Sequence, residues 1–174
     1  MGLFGFRGTS VTPRRAASVP AHHGVNEICS PATGSLIPLS DVPDPVFADG
    51  ALGQGFGVKP TEDIACAPVS GKLIAACETG HAYGLRSDSG IEVLVHIGVD
   101  TVEMKGDGFD PLVKQGDYVD AGQPLVRFSS SKIKAAGHSD VIATIVTNGS
   151  PEKKVKLANI KSVKAGEVAM EILA

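Results

Sequence analysis

Short apolar runs separated by glycine, proline, serine and aspartate recur from about residue 25 to the end of the chain, a spacing that predicts strands over helical layers. The runs ending at Arg86 and beginning at Ile91 flank Ser87-Asp88-Ser89-Gly90, a turn signal, and predict an antiparallel hairpin. Pairing Arg86 with Ile91 sets a register in which His81 lies directly opposite His96, on one face with Tyr83 and Leu94. A bulge in either strand would alter that pairing. Further along, Leu125-Val-Arg-Phe128 and Ala169-Met-Glu-Ile172 alternate so that each buries one face. These elements predict an all-β fold: a compact antiparallel β-sandwich, barrel-like, with short helical turns.

Two short motifs each occur twice. Pro31-Ala-Thr-Gly34-Ser-Leu-Ile37 returns as Pro68-Val-Ser-Gly71-Lys-Leu-Ile74, and Val119-Asp-Ala-Gly122 returns as Val163-Lys-Ala-Gly166. Such pairs predict two related β-units folded against each other. Similar short motifs occur in lipoyl and biotinyl carrier domains, which present a lysine at a hairpin tip. The one Met-Lys here, Met104-Lys105, is followed by Gly106 and lacks the second methionine, which counts against that class.

Composition narrows the picture. The 174 residues suit one domain, here 26–174, that buries roughly two thirds of its unfolded surface. A net charge of −3 gives no basic footprint for nucleic acid. Cys29, Cys66 and Cys77 are odd in number and match no metal spacing, so reduced, buried thiols are expected. Residues 1–25 read as a flexible tail: Met1-Gly-Leu-Phe-Gly-Phe6 is too short for a signal peptide or a membrane span, and Arg7, Pro13, Arg14, Arg15 and Pro20 interrupt the stretch after it. The tail is either a disordered leader or a contact for an anionic membrane through Leu3, Phe4, Phe6 and the arginines, and its His22 and His23 read as solvated.

A histidine pair on one face carries chemistry. Neutral imidazole, with a pKa near 6.5, is both a nucleophile near neutral pH and a zinc ligand. Two chemistries are open to it: phosphoryl transfer through a phosphohistidine, or metal-assisted hydrolysis. The second needs a third protein ligand, commonly from an HxH or HxxxD arrangement; the chain reads as offering neither, and His138 stands by itself in a polar stretch.

Several further segments resemble one family. Leu36-Ile-Pro-Leu-Ser-Asp-Val-Pro-Asp-Pro-Val-Phe47, Gly53-Gln-Gly-Phe-Gly-Val-Lys-Pro60, Ala67-Pro-Val-Ser-Gly71, His81-Ala82, Ser87-Asp-Ser-Gly90, Val95-His-Ile-Gly-Val-Asp-Thr101 and Gly106-Asp-Gly-Phe109 look like the glucose-type IIA component of the bacterial phosphoenolpyruvate-dependent sugar phosphotransferase system. The similarity runs from about Glu27 to Leu173. It implies a phosphocarrier that takes a phosphoryl group from the histidine phosphocarrier protein HPr and passes it to a cysteine on the IIB domain of a sugar permease. It also implies a cytoplasmic protein that works at the inner face of the membrane; regulation of transporters or enzymes is left open by it.

Position by position, the resemblance makes His96 the phosphorylated nucleophile, its second ring nitrogen held by the Gly98 carbonyl. His81 becomes the group that stabilises phosphoryl charge, and Thr79 the hydroxyl that orients it. Asp44 and Asp100 resemble acidic residues that receive an arginine of HPr, and Val46 and Phe47 resemble part of an apolar ring around the site. Cys77 and Leu94 stand where family members can carry aromatic residues. No cofactor is required; zinc, if it binds at His81 and His96, finds only two nitrogen ligands there and would be a bystander or a bridge to a partner. The alternatives are a zinc metallopeptidase on a related scaffold and a regulatory binding module that has lost transfer.

Overall fold

The computed structural model describes residues 24–174. The expected tail, with Leu3, Phe4, Phe6, His22 and His23, therefore lies outside the described residues, apart from Gly24 and Val25. The strands are β1 (Glu27–Cys29), β2 (Gly34–Pro38), β3 (Gln54–Pro60), β4 (Ile64–Cys66), β5 (Gly71–Ala76), β6 (Ala82–Ser87) and β7 (Glu92–Ile97) in the first half. In the second half they are β8 (Phe109–Pro111), β9 (Tyr118–Val119), β10 (Pro124–Phe128), β11 (Ile142–Val146), β12 (Val155–Leu157), β13 (Ser162–Val163) and β14 (Val168–Ile172). Two short helices, α1 (Pro45–Ala48) and α2 (Ser130–Ala135), interrupt them, and 3-10 turns form at Leu39–Asp41 and Thr101–Met104.

The sheets repeat about a pseudo-dyad that the duplicated motifs foreshadow. An eight-stranded sheet runs β13-β2-β3-β11-β7-β6-β5-β9, so β13 and β9, β2 and β5, β3 and β6, β11 and β7 hold equivalent places. Two three-stranded sheets, β1-β14-β12 and β4-β10-β8, complete the sandwich in the same symmetric sense. Gly34 pairs with Val163 and Gly71 with Val119, which joins one copy of each motif to one copy of the other. Glycine begins both motif strands for one reason: a Cβ would lie 2.0 Å from the Lys59 carbonyl oxygen at Gly34 and 2.0 Å from that of Arg86 at Gly71.

Alternation along the central strands builds two cores. Val93, Val95 and Ile97 of β7 pack with Tyr83, Phe56, Leu125, Ile133 and Met170 on the inner face. On the outer face Val141, Ala143 and Ile145 pack with Val42 and Phe47, and Leu94 leans on that cluster. The strand β11 is thus buried on both sides. The expected alternation on β10 fails, because Leu125 and Val126 are both fully buried. A register shift between Pro124 and Val126 turns both residues inward.

The hairpin β6–β7 forms, but its register differs by one residue from the expected pairing. Arg86 faces Glu92, not Ile91, and Ala82, not His81, faces His96. Ser87 closes the tip by donating its amide to the Ile91 carbonyl at 2.8 Å, which leaves Asp88-Ser89-Gly90 as a three-residue loop with Gly90 at φ 89. A one-residue slip exchanges faces. Tyr83 accordingly lies in the inner core opposite Val95 and away from His96, whereas Leu94 keeps the face of His96.

Candidate active site

Two structural devices bring His81 beside His96 despite the shifted register. His96 belongs to β7 and projects from the outer face, opposite Ala143 of β11 and Ala82 of β6. His81 precedes β6 and ends a tight turn in which the Gly80 amide donates to the Cys77 carbonyl at 2.9 Å, with Gly80 at φ 77. Freed from strand alternation, the His81 ring meets His96 edge to face at a centroid separation of 5.3 Å. The Ile97 amide donates to the His81 carbonyl at 2.7 Å and ties the two backbones together.

Each imidazole has one nitrogen engaged. Nδ1 of His96 lies 2.7 Å from the Gly98 carbonyl oxygen. A carbonyl only accepts, so this nitrogen carries the proton and Nε2 keeps its lone pair. Nδ1 of His81 lies 2.7 Å from the Thr79 hydroxyl, and Thr79 sits in the turn and not in a strand.

Burial holds the His81 pKa below its ordinary value of 6.5, and the facing His96 lowers it further. Burial also lowers His96; the Gly98 carbonyl and the carboxylates of Asp44 and Asp100 pull it partly back up. Both rings are therefore neutral near neutral pH.

The surroundings come from α1 and from the turn after β7. Asp44 caps α1, accepting the Val46 amide at 2.9 Å. The next turn of chain divides its apolar pair: Val46 is 55% exposed, whereas Phe47 is buried at 6% with its ring 5.1 Å from that of His96. Asp100 adopts a left-handed conformation at φ 57 before the 3-10 turn, and Val102 on that turn is 57% exposed. The carboxylates of Asp44 and Asp100 thus lie near enough to act on His96, and the exposed Val46 and Val102 belong to the same two segments. Cavities of about 260 Å³ beside Gly50 and Ile172 and about 340 Å³ beside Thr33 and Glu167 include neither histidine.

Other candidate residues part from the site. Cys29 and Cys66 are buried as expected, burial raising both thiols to about 12, but Cys77 is exposed because it opens the turn that carries Thr79. His138 is not an isolated polar-loop residue: its side chain is largely buried, with Nε2 3.7 Å from Glu103. The expectation that no HxxxD arrangement exists is corrected at His96 and Asp100, which have that spacing; no three His, Cys, Asp or Glu side chains among the described residues converge to hold an ion. Reasoning from sequence passed over Thr101, Ser139 and Val141, which anchor the turn after His96; the string Gly98-Val-Asp-Thr101 was the available signal.

Comparison with known proteins defines the class. Residues 26–151 match the family model described as phosphoenolpyruvate-dependent sugar phosphotransferase system, EIIA 1. A glucose-specific EIIA component of Staphylococcus epidermidis is 40% identical over 141 residues, covering 81% of this chain and 85% of its own length. One from Staphylococcus aureus is 41% identical over 140 residues, covering 80% and 84% respectively. The solved glucose permease IIA from Mycoplasma capricolum superposes with a TM-score of 0.75 at 37% identity, covering 83% of this chain and 94% of that one.

The chain belongs to the EIIA 1 family of the sugar phosphotransferase system. It is a phosphocarrier, with HPr and the IIB domain of a permease as its partners, and membership leaves the metallopeptidase reading without support.

Proposed function

We propose that this protein carries a phosphoryl group on Nε2 of His96, between HPr and the cysteine of a glucose-class IIB domain. The observation that carries the reading is the 2.7 Å contact from Nδ1 of His96 to the Gly98 carbonyl, which leaves Nε2 with a lone pair. That lone pair attacks the phosphorus of phospho-HPr; the donor P–N bond breaks and its electrons return to the donor imidazole. In the second step the IIB thiolate attacks, the His96 P–N bond breaks, and His96 regains its pair.

His81 balances charge on the phosphoryl oxygens. With the Thr79 hydroxyl donating to Nδ1 of His81, the proton of this neutral ring sits on Nε2, available to the phosphoryl group. A dianion on His96 raises the His81 pKa and favours its cationic form at that moment. Asp44 and Asp100 receive an HPr arginine, while Val46 and Phe47 exclude water from the P–N bond. Were zinc to bind, His81 and His96 would supply two nitrogens where a tetrahedral ion wants four, and the ion would be a bystander or a bridge to a partner. Cytoplasmic residence follows from the partners, and no helix among the described residues is long and apolar enough to cross a membrane.

Reconstitution tests the reading. Phosphoenolpyruvate, the two general phosphotransfer proteins, this chain and glucose-class IIB should yield phosphorylated IIB, with or without a chelator. Absence of label on IIB while this chain is labelled would reject the glucose class, and dependence on zinc would reject the bridging role.

A further inference from the structure

We propose that Thr101 is a positioning residue for phosphoryl transfer, its hydroxyl and its methyl together holding the Gly98 carbonyl on Nδ1 of His96. The inference rests on His96 as the phosphorylated residue and extends it to the segment that sets the His96 tautomer. That segment runs from Ile97, where β7 ends, through a reversal to Thr101.

Three backbone donors pin the reversal to its neighbours. The Ile97 amide donates to His81 at 2.7 Å, the Gly98 amide to Val141 at 3.0 Å and the Val99 amide to Ser139 at 2.9 Å. The Gly98 and Val99 amides hold the peptide planes on either side of Gly98; what they leave free is a shift of the Gly98 Cα between those planes, and glycine at φ 77 does little to oppose it. Thr101 opposes it from two directions. Its hydroxyl, fully buried, donates to the Ile97 carbonyl at 2.6 Å. Its methyl fills the volume a Gly98 side chain would need, since a Cβ built there lies 2.4 Å from Thr101 Cγ2.

Asp100 completes the device. Its left-handed φ of 57 folds the chain back so that Thr101 reaches under Gly98, a conformation that aspartate tolerates better than most residues. Valine in place of threonine would keep the methyl and lose the hydrogen bond; serine would do the reverse and leave a gap. Without the clamp Gly98 shifts, its carbonyl draws away from Nδ1, the Nε2–H tautomer gains population, and the attacking nitrogen loses its lone pair.

The full chain carrying Thr101→Val or Thr101→Ser tests this, with ¹⁵N-imidazole spectra reporting the His96 tautomer and single-turnover labelling from phospho-HPr reporting rate. Thr101→Val should show a rise in Nε2–H and accept phosphate about tenfold more slowly, the scale at which a small misplacement acts. Thr101→Ser should fall between valine and wild type in both readouts, because it restores the bond to Ile97 and leaves the gap of the missing methyl. The proposal is overturned by a valine variant with unchanged tautomer, whatever its rate or stability, or by a serine variant as defective as valine. If fragmentation of the labelled wild type places phosphate away from His96, the assignment beneath this proposal fails, which is a different result from failure of Thr101 alone.

Discussion

Phe47→Ala would separate shielding of the proposed phosphohistidine from the chemistry that forms it. Phe47 is buried at 6%, packs with Val42, Val141, Ala143 and Ile145, and lays its ring 5.1 Å from that of His96. Truncation removes on the order of 100 Å² of apolar contact, about 2.5 kcal/mol at ~25 cal/mol per Å². A residual cavity adds to that loss, and collapse of the short helix α1 subtracts from it, so urea unfolding should report ~2–4 kcal/mol. The site should still accept phosphate within a few-fold of wild type, because neither the His96–Gly98 contact nor the Thr79–His81 contact involves Phe47. Loss of label from the isolated phosphoprotein should be several-fold faster, because water gains the face that the ring covers. The His96 titration midpoint should also rise, since burial is the largest cause of its depression. Phe47→Leu should recover most of the stability and part of the protection. A Phe47→Ala phosphoprotein that is hydrolysed at the wild-type rate would refute the shielding role.

Stability should fall on acidification from about pH 6.5: both histidines titrate below that unfolded value, so the unfolded chain binds more protons between it and the folded value. A urea midpoint that holds constant, or rises, as pH is lowered through this window would contradict the neutral pair. His81→Gln should accept phosphate onto His96 yet pass it to IIB about 10²–10³ more slowly, or ~2.7–4 kcal/mol, by analogy with a lost oxyanion donor. Single-turnover transfer within a few-fold of wild type would make His81 a structural neighbour only.

Local motifs were legible in the sequence where few residues decide the outcome. Gly34 and Gly71 each open a strand against a backbone carbonyl, so the repeated motifs pointed to two related β-units, which the structure arranges as the two halves of one continuous eight-stranded sheet. The hairpin was legible too, but not its tip. Ser87-Asp88-Ser89-Gly90 fits a four-residue turn or a three-residue loop closed by Ser87, and the choice shifts every partner by one. His81 reaches His96 through the Cys77–Gly80 turn, which no strand pattern announces. Burial of Phe47, exposure of Cys77 and the contact of His138 with Glu103 depend on packing between distant segments, which periodicity does not encode.

The most direct test of the central claim is to locate the phosphoryl group. Incubation with phosphoenolpyruvate and the general phosphotransfer proteins, followed by fragmentation under alkaline conditions, should place one acid-labile phosphate on His96. His96→Ala should take up none, and Cys77→Ser should label normally. Phosphate on His81, or normal labelling of His96→Ala, would contradict the account.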